Sequence, residues 1–368
     1  MGEWKEYKLG EVLTFQRGYD LPKSEMNGGD IPVAGSNGVI GYHDQYTTKG
    51  PGITIGRSGN IGVPKFYKDN FWAHNTTLYV KDFHGNDEKF MYYFLQLVDF
   101  TQFNSGSAVP SLNRNHIHEL NIFIPSLKEQ KRIASILNSL DDKIDLLLQE
   151  NKTLEAMAET LFRKWFIEEI QEYWKEGTLD DILSVKGGTT PSTKEPKYWD
   201  GSIPWTSPKD VTTLNGIYLF DTERKITQEG LKQISSGLLP AGTLLMSSRA
   251  PVGVLAYAEV PLAINQGYIA IIDDKGYAKE FIYLWLKANM DIVHSYANGS
   301  TFMEISKSAF KSLSLLIPPK QIVAEFCKIV KPIFNKIKIN ELQIRTINKT
   351  KDRILPKLMS NEIKIDEL

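Results

Sequence analysis

Residues 129–166 read EQKRIASILNSLDDKIDLLLQENKTLEAMAETLFRKWF. Within them Leu137, Leu140, Ile144, Leu147, Asn151, Leu154, Ala158, Leu161 and Trp165 fall at alternating spacings of three and four. A period near 3.5 sustained over about four heptads predicts a coiled-coil seam, because a lone surface helix drifts with the 3.6 period instead. A later stretch does the same with Phe326, Val330, Ile333, Ile337, Asn340, Ile344, Ile347, Lys351, Ile354 and Leu358. Pro332 and Pro356, near the two ends of that second seam, are its only breakers. The plainer reading is a pair of amphipathic helices, each lying on its own domain. One asparagine interrupts each seam. Set antiparallel with Asn151 opposite Asn340, paired positions sum to 491, so that Leu137 meets Ile354, Leu154 meets Ile337, Leu161 meets Val330 and Trp165 meets Phe326. A buried asparagine pair lowers stability but fixes register, which makes Asn151 and Asn340 the candidate register residues.

Working outward, the segments around the two seams repeat one another. Trp4-Lys5-Glu6 returns as Trp174-Lys175-Glu176, an offset of 170. Lys89 to Leu95 (KFMYYFL) returns as Glu280 to Leu286 (EFIYLWL), and Leu120 to Pro125 (LNIFIP) as Leu313 to Pro318 (LSLLIP), the latter at offset 193. The jump of about 20 places an insertion in the second copy, between its tryptophan and the Pro240-Ala241-Gly242 turn. Short β-rich runs (52–55, 78–81, 122–125; 243–247, 268–272, 315–318) alternate with helical patterns (88–98, 279–293) and are broken by Gly, Pro and Asn turns. The chain is therefore read as a tandem duplication of a mixed α/β unit: residues 1–125 and 171–318 form two globular domains, and residues 126–170 and 319–368 contribute a long helix each.

The 368 residues are 42% hydrophobic and 24% charged, an ordinary composition for a folded chain of two or three domains. No apolar run reaches the roughly 18 residues of a membrane span, and the opening MGEWKEYKLG shows no leader-like apolar run. The single cysteine, Cys327, excludes a disulfide scaffold and an all-thiolate zinc site. A cytoplasmic location is the expectation. Net charge is −1: the first three of the four segments carry −2 each and residues 319–368 carry +5. Proteins that coat nucleic acid without sequence preference are strongly basic, since phosphate neutralisation drives that binding. This chain is not one of them, so any DNA binding rests on local patches or on a basic partner.

Several further stretches, taken with the repeat and the helices, resemble the specificity subunit of type I restriction–modification systems. They are Pro240 to Arg249 (PAGTLLMSSR), Pro261 to Gly267 (PLAINQG), Gly299 to Ile305 (GSTFMEI), Ile203 to Thr206 (IPWT), Leu316 to Pro319 (LIPP) and Ile124 to Ile133 (IPSLKEQKRI). The resemblance implies two tandem α/β target-recognition domains separated by two long helices that form an antiparallel intrachain coiled coil with pseudo-two-fold symmetry. It implies a non-catalytic subunit that reads a bipartite, asymmetric site in double-stranded DNA, with a gap set by the helices. It also implies two methyltransferase subunits and, in the full complex, restriction and translocase subunits as partners, with S-adenosylmethionine, ATP and Mg expected only in those partners and no cofactor in this chain. The first helix, about 55 Å long at about 1.5 Å per residue, spans more than one turn of B-DNA, about 34–36 Å. The competing reading is a coiled-coil scaffold or decoy that binds protein partners without reading DNA.

Candidate DNA contacts are polar loop residues. Arg57 and Arg249 sit in turn-rich loops among small polar residues, at matching places in the two copies, flanked by Ser58 and Asn60 and by Ser247 and Ser248; an exposed arginine there can take guanine O6 and N7, or a phosphate. Gly106-Ser107 and Gly299-Ser300-Thr301 can hold a phosphate through backbone N–H groups and hydroxyls, or be ordinary turns. Ser36, Asn37, Tyr42 and His43 form one polar glycine-containing loop, and Thr189, Thr190, Ser192 and Lys194 another. Tyr198, Trp199 and Trp205 can stack on an extruded base or pack a core, and core packing is the simpler account. Histidines 43, 74, 84, 116 and 118 crowd the first copy, and His116 and His118 would share a face on a strand, but no third ligand is indicated for a metal. No methyltransferase Asn-Pro-Pro-Tyr loop or GxxxxGK[ST] phosphate loop occurs, so no catalytic residue is expected in this chain.

Overall fold

The computed structural model describes residues 4–104, 110–299 and 303–365. It divides into two units, Met1–Asp145 with Arg345–Leu368, and Leu146–Ile344. Each unit holds one copy of the repeat and part of both long helices, Leu127–Arg163 and Lys320–Met359. The first of these continues into a π-helical turn, Lys164–Glu168, so it ends close to the expected Phe166.

In the first unit Lys5–Lys8 pairs antiparallel with Asn121–Ile124, the strand that leads directly into the first long helix. A four-stranded antiparallel sheet runs in the order Thr14–Arg17, Thr77–Asp82, Gly52–Gly56, Pro64–Tyr67. Gly52–Gly56 lies between two other strands and is buried along its whole length, hence its unbroken small and apolar run. A three-stranded sheet follows the order Gly38–His43, Ile31–Gly35, Trp72–Ala73. Helix Glu88–Leu95 is capped by Asp87, whose carboxylate accepts from Phe90 N at 2.8 Å, and it buries Phe90, Met91, Tyr93 and Leu95.

The second unit repeats this plan. Lys175–Thr178 pairs with Ser314–Ile317, the main sheet runs Ser184–Lys186, Tyr268–Asp273, Thr243–Ser247, Leu255–Ala258, and Trp199–Thr206 lies between Arg224–Ile226 and Ala263–Ile264. It adds a fifth strand, Tyr218–Leu219, parallel to Leu255–Ala258. Pairing registers locate the insertion. Ala34 faces Ala73 as Thr206 faces Ile264, and Gly56 faces Thr77 as Ser247 faces Tyr268, so the offset is 172 before the inserted segment and 191 after it.

The long helices pair antiparallel within each unit. In the second unit Asn340 Nδ2 donates to Asn151 Oδ1 at 2.8 Å, and the rings of Trp165 and Phe326 lie 5.8 Å apart. In the first, Lys351 Nζ meets Asp141 Oδ1 at 2.6 Å, and Leu137 and Ile354 pack into one core. That ion pair accounts for a lysine in an apolar seam. The plainer reading of the helices also holds in part, because residues just past seam positions are buried against the globular copies. Ile133 and Ala134 join Leu355, Leu358 and Met359 in the first core. Phe162 and Phe166 join Phe326, Cys327 and Phe334 in the second. Phe166 sits 4.9 Å from both Phe281 and Phe326, edge-on to each, a geometry contributing about 0.5–1.5 kcal/mol per pair beyond burial.

The asparagine pair is incompletely satisfied. Asn340 Nδ2 also donates to Glu150 Oε2, while Asn151 Nδ2 and Asn340 Oδ1 are buried without a partner. Asn151→Leu is expected to destabilise the protein by about 1–3 kcal/mol, because it removes one of the two acceptors of the buried Asn340 Nδ2 and leaves only Glu150. The double replacement Asn151→Leu with Asn340→Leu is expected to recover stability and to loosen register. Thermal unfolding of both variants, with disulfide trapping of cysteine pairs placed in and out of register, checks this; an unchanged melting temperature and register in the single variant would remove the register role.

Candidate nucleic-acid interface

At one end of the main sheet in the first unit, several loops are laced together by backbone hydrogen bonds. Arg57 N and Ser58 N donate to Thr76 O at 2.8 and 3.3 Å, Leu112 N donates to Arg57 O at 2.9 Å, and Ser58 bridges Ser111. The Gly35–Gly38 hairpin joins them through Ser36 N to Thr76 Oγ1 at 3.3 Å. Asn37 and Asn60 are exposed, and the hairpin's outgoing strand also presents Val39, Ile40 and Tyr42 to solvent.

The second unit builds the same cluster from different residues. Ser248 N donates to Gly267 O at 2.8 Å, Ile305 N donates to Ser248 O at 3.0 Å, and Arg249 bridges Glu304, which also bridges Asn298. Arg249, half-buried, lies 3.8 Å from the Glu304 carboxylate. The loop after Ser184–Lys186 closes on it, with Thr190 Oγ1 donating to Gln266 Oε1 at 2.7 Å. Gly188 is required there, since a Cβ at that position would lie 1.8 Å from Ile264 O. Its counterpart Gly18 is equally confined, since a Cβ there would lie 2.5 Å from Ala73 O, the equivalent carbonyl, and 2.2 Å from His74 O. Exposed polar groups on this cluster are Thr190, Ser192, Lys194, Gln266, Asn298 and Glu304.

These registers correct the pairing of the two arginines. Arg57 occupies the place of Ser248, and Arg249 the place of Ser58, because hydrogen bonds to Thr76 and Gly267 align the copies at 191 rather than by residue type. Other candidates turn inward. Ser247 is fully buried, its hydroxyl donating to Pro251 O at 2.6 Å and accepting from Val254 N at 2.8 Å, so it braces its own loop. Ser248 is buried, with Oγ unpaired. Thr189 Oγ1 donates to Gln233 O and accepts from Ser235 N. His43 is buried edge-on against Trp72 at 5.1 Å. Gly299 is exposed at φ +140°, and Gly106, Ser107, Ser300 and Thr301 lie outside the described residues. Gln266, Asn298 and Glu304 were not singled out; Gln266 and Glu304 stood in quoted motifs, but nothing in their spacing marks them as exposed.

The aromatic candidates form a core. Trp199 and Trp205 are buried at right angles, 5.1 Å apart, and donate their indole N–H groups to Ser192 O and Thr189 O. The Arg224 guanidinium covers Trp199 at 3.5 Å. His116 and His118 belong to helix Arg114–His118, capped by Asn113, rather than to a strand. His118 Nε2 accepts from Phe15 N at 3.0 Å, and burial, then nearby Arg114, pushes its pKa down, so the ring is held neutral. Among the described residues no group of three or more His, Cys, Asp or Glu is arranged to hold a metal, and no helix is long and apolar enough to cross a membrane.

Comparison with known proteins extends over both copies. The family described as "Type I restriction modification DNA specificity domain" matches residues 1–156 and again 171–349. The MjaIX specificity subunit of Methanocaldococcus jannaschii is 39% identical across 44% of this chain and 38% of its own length. The EcoR124I/EcoR124II specificity subunit of Escherichia coli is 32% identical across 72% of this chain and 73% of its own length. The HindI specificity subunit of Haemophilus influenzae is 22% identical across 99% and 100%. Among solved structures, the type I restriction–modification S subunit from M. genitalium superposes with TM-score 0.63 at 19% identity, covering 97% of this chain and 96% of that one, a likeness of fold.

Gly188→Ala is expected to destabilise the second unit by about 1–3 kcal/mol, because its methyl group meets a backbone carbonyl that cannot withdraw cheaply. Gly187→Ala, whose Cβ would meet only the flexible Lys307 side chain at 3.3 Å, should be close to neutral. Urea unfolding of the two variants against the parent chain distinguishes them.

Proposed function

The chain belongs to the type I restriction–modification DNA specificity family, and on that premise we propose that it is the non-catalytic, DNA-reading subunit of a complex whose chemistry resides in other chains. One observation carries this reading. The same loop cluster is built twice, at the same end of the same sheet, from different residues. Each copy is joined by hydrogen-bonded strands to the paired long helices. Two clusters of one plan and unlike composition suit a bipartite, asymmetric site in double-stranded DNA, each reading one half.

The groups offered are those that read base edges. Amides such as Asn37, Asn60, Gln266 and Asn298 can take adenine N6 and N7, and Arg249 can exchange its Glu304 carboxylate for guanine O6 and N7. Lys194 and the hydroxyls of Thr190 and Ser192 suit backbone contacts. The helix pair sets the gap between half-sites and offers its outer faces to two methyltransferase subunits, with restriction and translocase subunits in the full complex. S-adenosylmethionine, ATP and Mg belong to those partners.

Mapping adenine methylation genome-wide in a strain with and without this gene tests the reading. A two-part motif with a fixed gap should disappear on deletion. If the reconstituted methyltransferase complex instead binds all duplexes equally, the scaffold reading replaces this one. Removing one heptad from each long helix shortens the pair by about 10 Å, about three base pairs at 3.4 Å each, and should shorten the methylated motif's gap while leaving both half-sites intact. Arg249→Ala should weaken binding by about 10- to 100-fold at one half-site only, read by titration of duplexes altered in either half.

A further inference from the structure

Among the described residues only the second copy has the strand Tyr218–Leu219, which begins against the second long helix at a buried carboxylate. Glu341 Oε1 accepts from Ile217 N at 2.9 Å, and its Oε2 accepts from Tyr218 N at 3.1 Å. About two turns earlier along the helix, the Phe334 carbonyl accepts from Tyr218 Oη at 3.0 Å. Gly216 leaves no space beside this contact, since a Cβ there would lie 2.4 Å from the carboxylate. From Tyr218 the pairing runs through Leu255–Ala258 to Thr243–Ser247, the strand that delivers Ser248 and Arg249 to the loop cluster.

We propose that Glu341 is a positioning residue for DNA reading by the second domain. Its bidentate grip on the adjacent N–H groups of Ile217 and Tyr218, at the start of the inserted strand, fixes how that domain is seated on the helix that sets the gap. The proposal rests on the DNA-specificity reading above. Two hydrogen bonds to one carboxylate determine both the height of the strand along the helix and its rotation, which a single contact would leave free. The grip needs the ionised form, because a protonated oxygen no longer accepts well. Burial, followed by the negative charges of Glu155 and Glu259, raises the Glu341 pKa to about 7 against the lowering effect of the two N–H groups. The charged groups around it are paired: Glu155 on the first long helix with Lys287, and Glu259 at the end of Leu255–Ala258 with Lys338. The phenol of Tyr218 is the other titratable group at the contact. Because the folded-state pKa is raised, this carboxyl's own stabilisation is present at acid pH and lost as pH rises through about 7, while the bidentate grip forms over the same range.

The test uses the complex with its methyltransferase partners and duplexes whose gap is correct, or one base pair shorter or longer. Glu341→Leu and Gly216→Ala are expected to lose about tenfold of the preference for the correct gap, the effect of leaving buried N–H groups unpaired, while half-site preference stays intact. In the parent complex that preference should be sharper at about pH 8 than at about pH 6; in Glu341→Gln, which retains one acceptor, it should be weaker and flat between the two. Folded variants that keep the parent's gap preference at both pH values overturn the proposal. So does a parallel loss of gap and half-site preference in Gly216→Ala and Glu341→Gln, which would make the contact merely structural. A parent complex without sequence preference overturns the DNA reading and this proposal together.

Discussion

The contact between Asn151 and Asn340 is where the two long helices are held to one alignment, and both cores depend on that alignment. Apolar seams slide easily because a slip of one heptad exchanges one aliphatic contact for another. Here a slip of one heptad would place each asparagine against an isoleucine or alanine and break the amide-to-amide hydrogen bond, at about 1–3 kcal/mol. The consequence spreads beyond the seam, since each unit takes the start of one helix and the end of the other. A displaced register would withdraw Leu355, Leu358 and Met359 from the first core. It would likewise separate Phe166 from Phe326 in the second, where the two rings lie 4.9 Å apart.

The copies share a plan but are fastened to the helices by different chemistry. In the first, buried Tyr93 donates its hydroxyl to Asp141 Oδ2 at 2.7 Å, and Lys351 completes a three-residue link across both helices. Burial and the adjacent carboxylate push the Tyr93 pKa far up, so the phenol keeps its proton and remains a donor. In the second, Lys287 reaches Glu155 and Glu159 on the first long helix at 3.2 and 3.0 Å, and Glu341 grips the inserted strand from the second. The first link is one charged pair with a neutral donor attached. The second is spread over two helices and includes a carboxylate held close to its titration midpoint at neutral pH.

Much of the architecture was legible because it is written in periodicity. Alternating spacings of three and four gave both helices, the isolated asparagines gave their alignment, and repeated words gave the duplication and the position of its insertion. The loop clusters were legible only as places. Matching Arg57 to Arg249 by residue type missed by one position, since sheet register and not residue identity sets which side chain occupies which site. Ser247 and Thr189 read as ligand-facing hydroxyls because bracing a turn and facing a ligand call for the same residue types. Glu341 carried no local signal: its partners lie 124 and 123 residues away, at the start of a strand of only two residues.

The near-zero net charge becomes intelligible once the exposed groups of the clusters are considered together. They are chiefly amides and hydroxyls, and the half-buried Arg249 is already matched by Glu304. Such groups give little counterion release and hence little non-specific affinity, but they can discriminate base edges. On the function proposed above, a chain built this way favours the right sequence over the wrong one without holding either tightly. On the same reading, tight holding then has to come from phosphate contacts made by partner subunits. That arrangement has a physical advantage, because a subunit that gripped every duplex strongly would spend its time on the many wrong sites a genome offers.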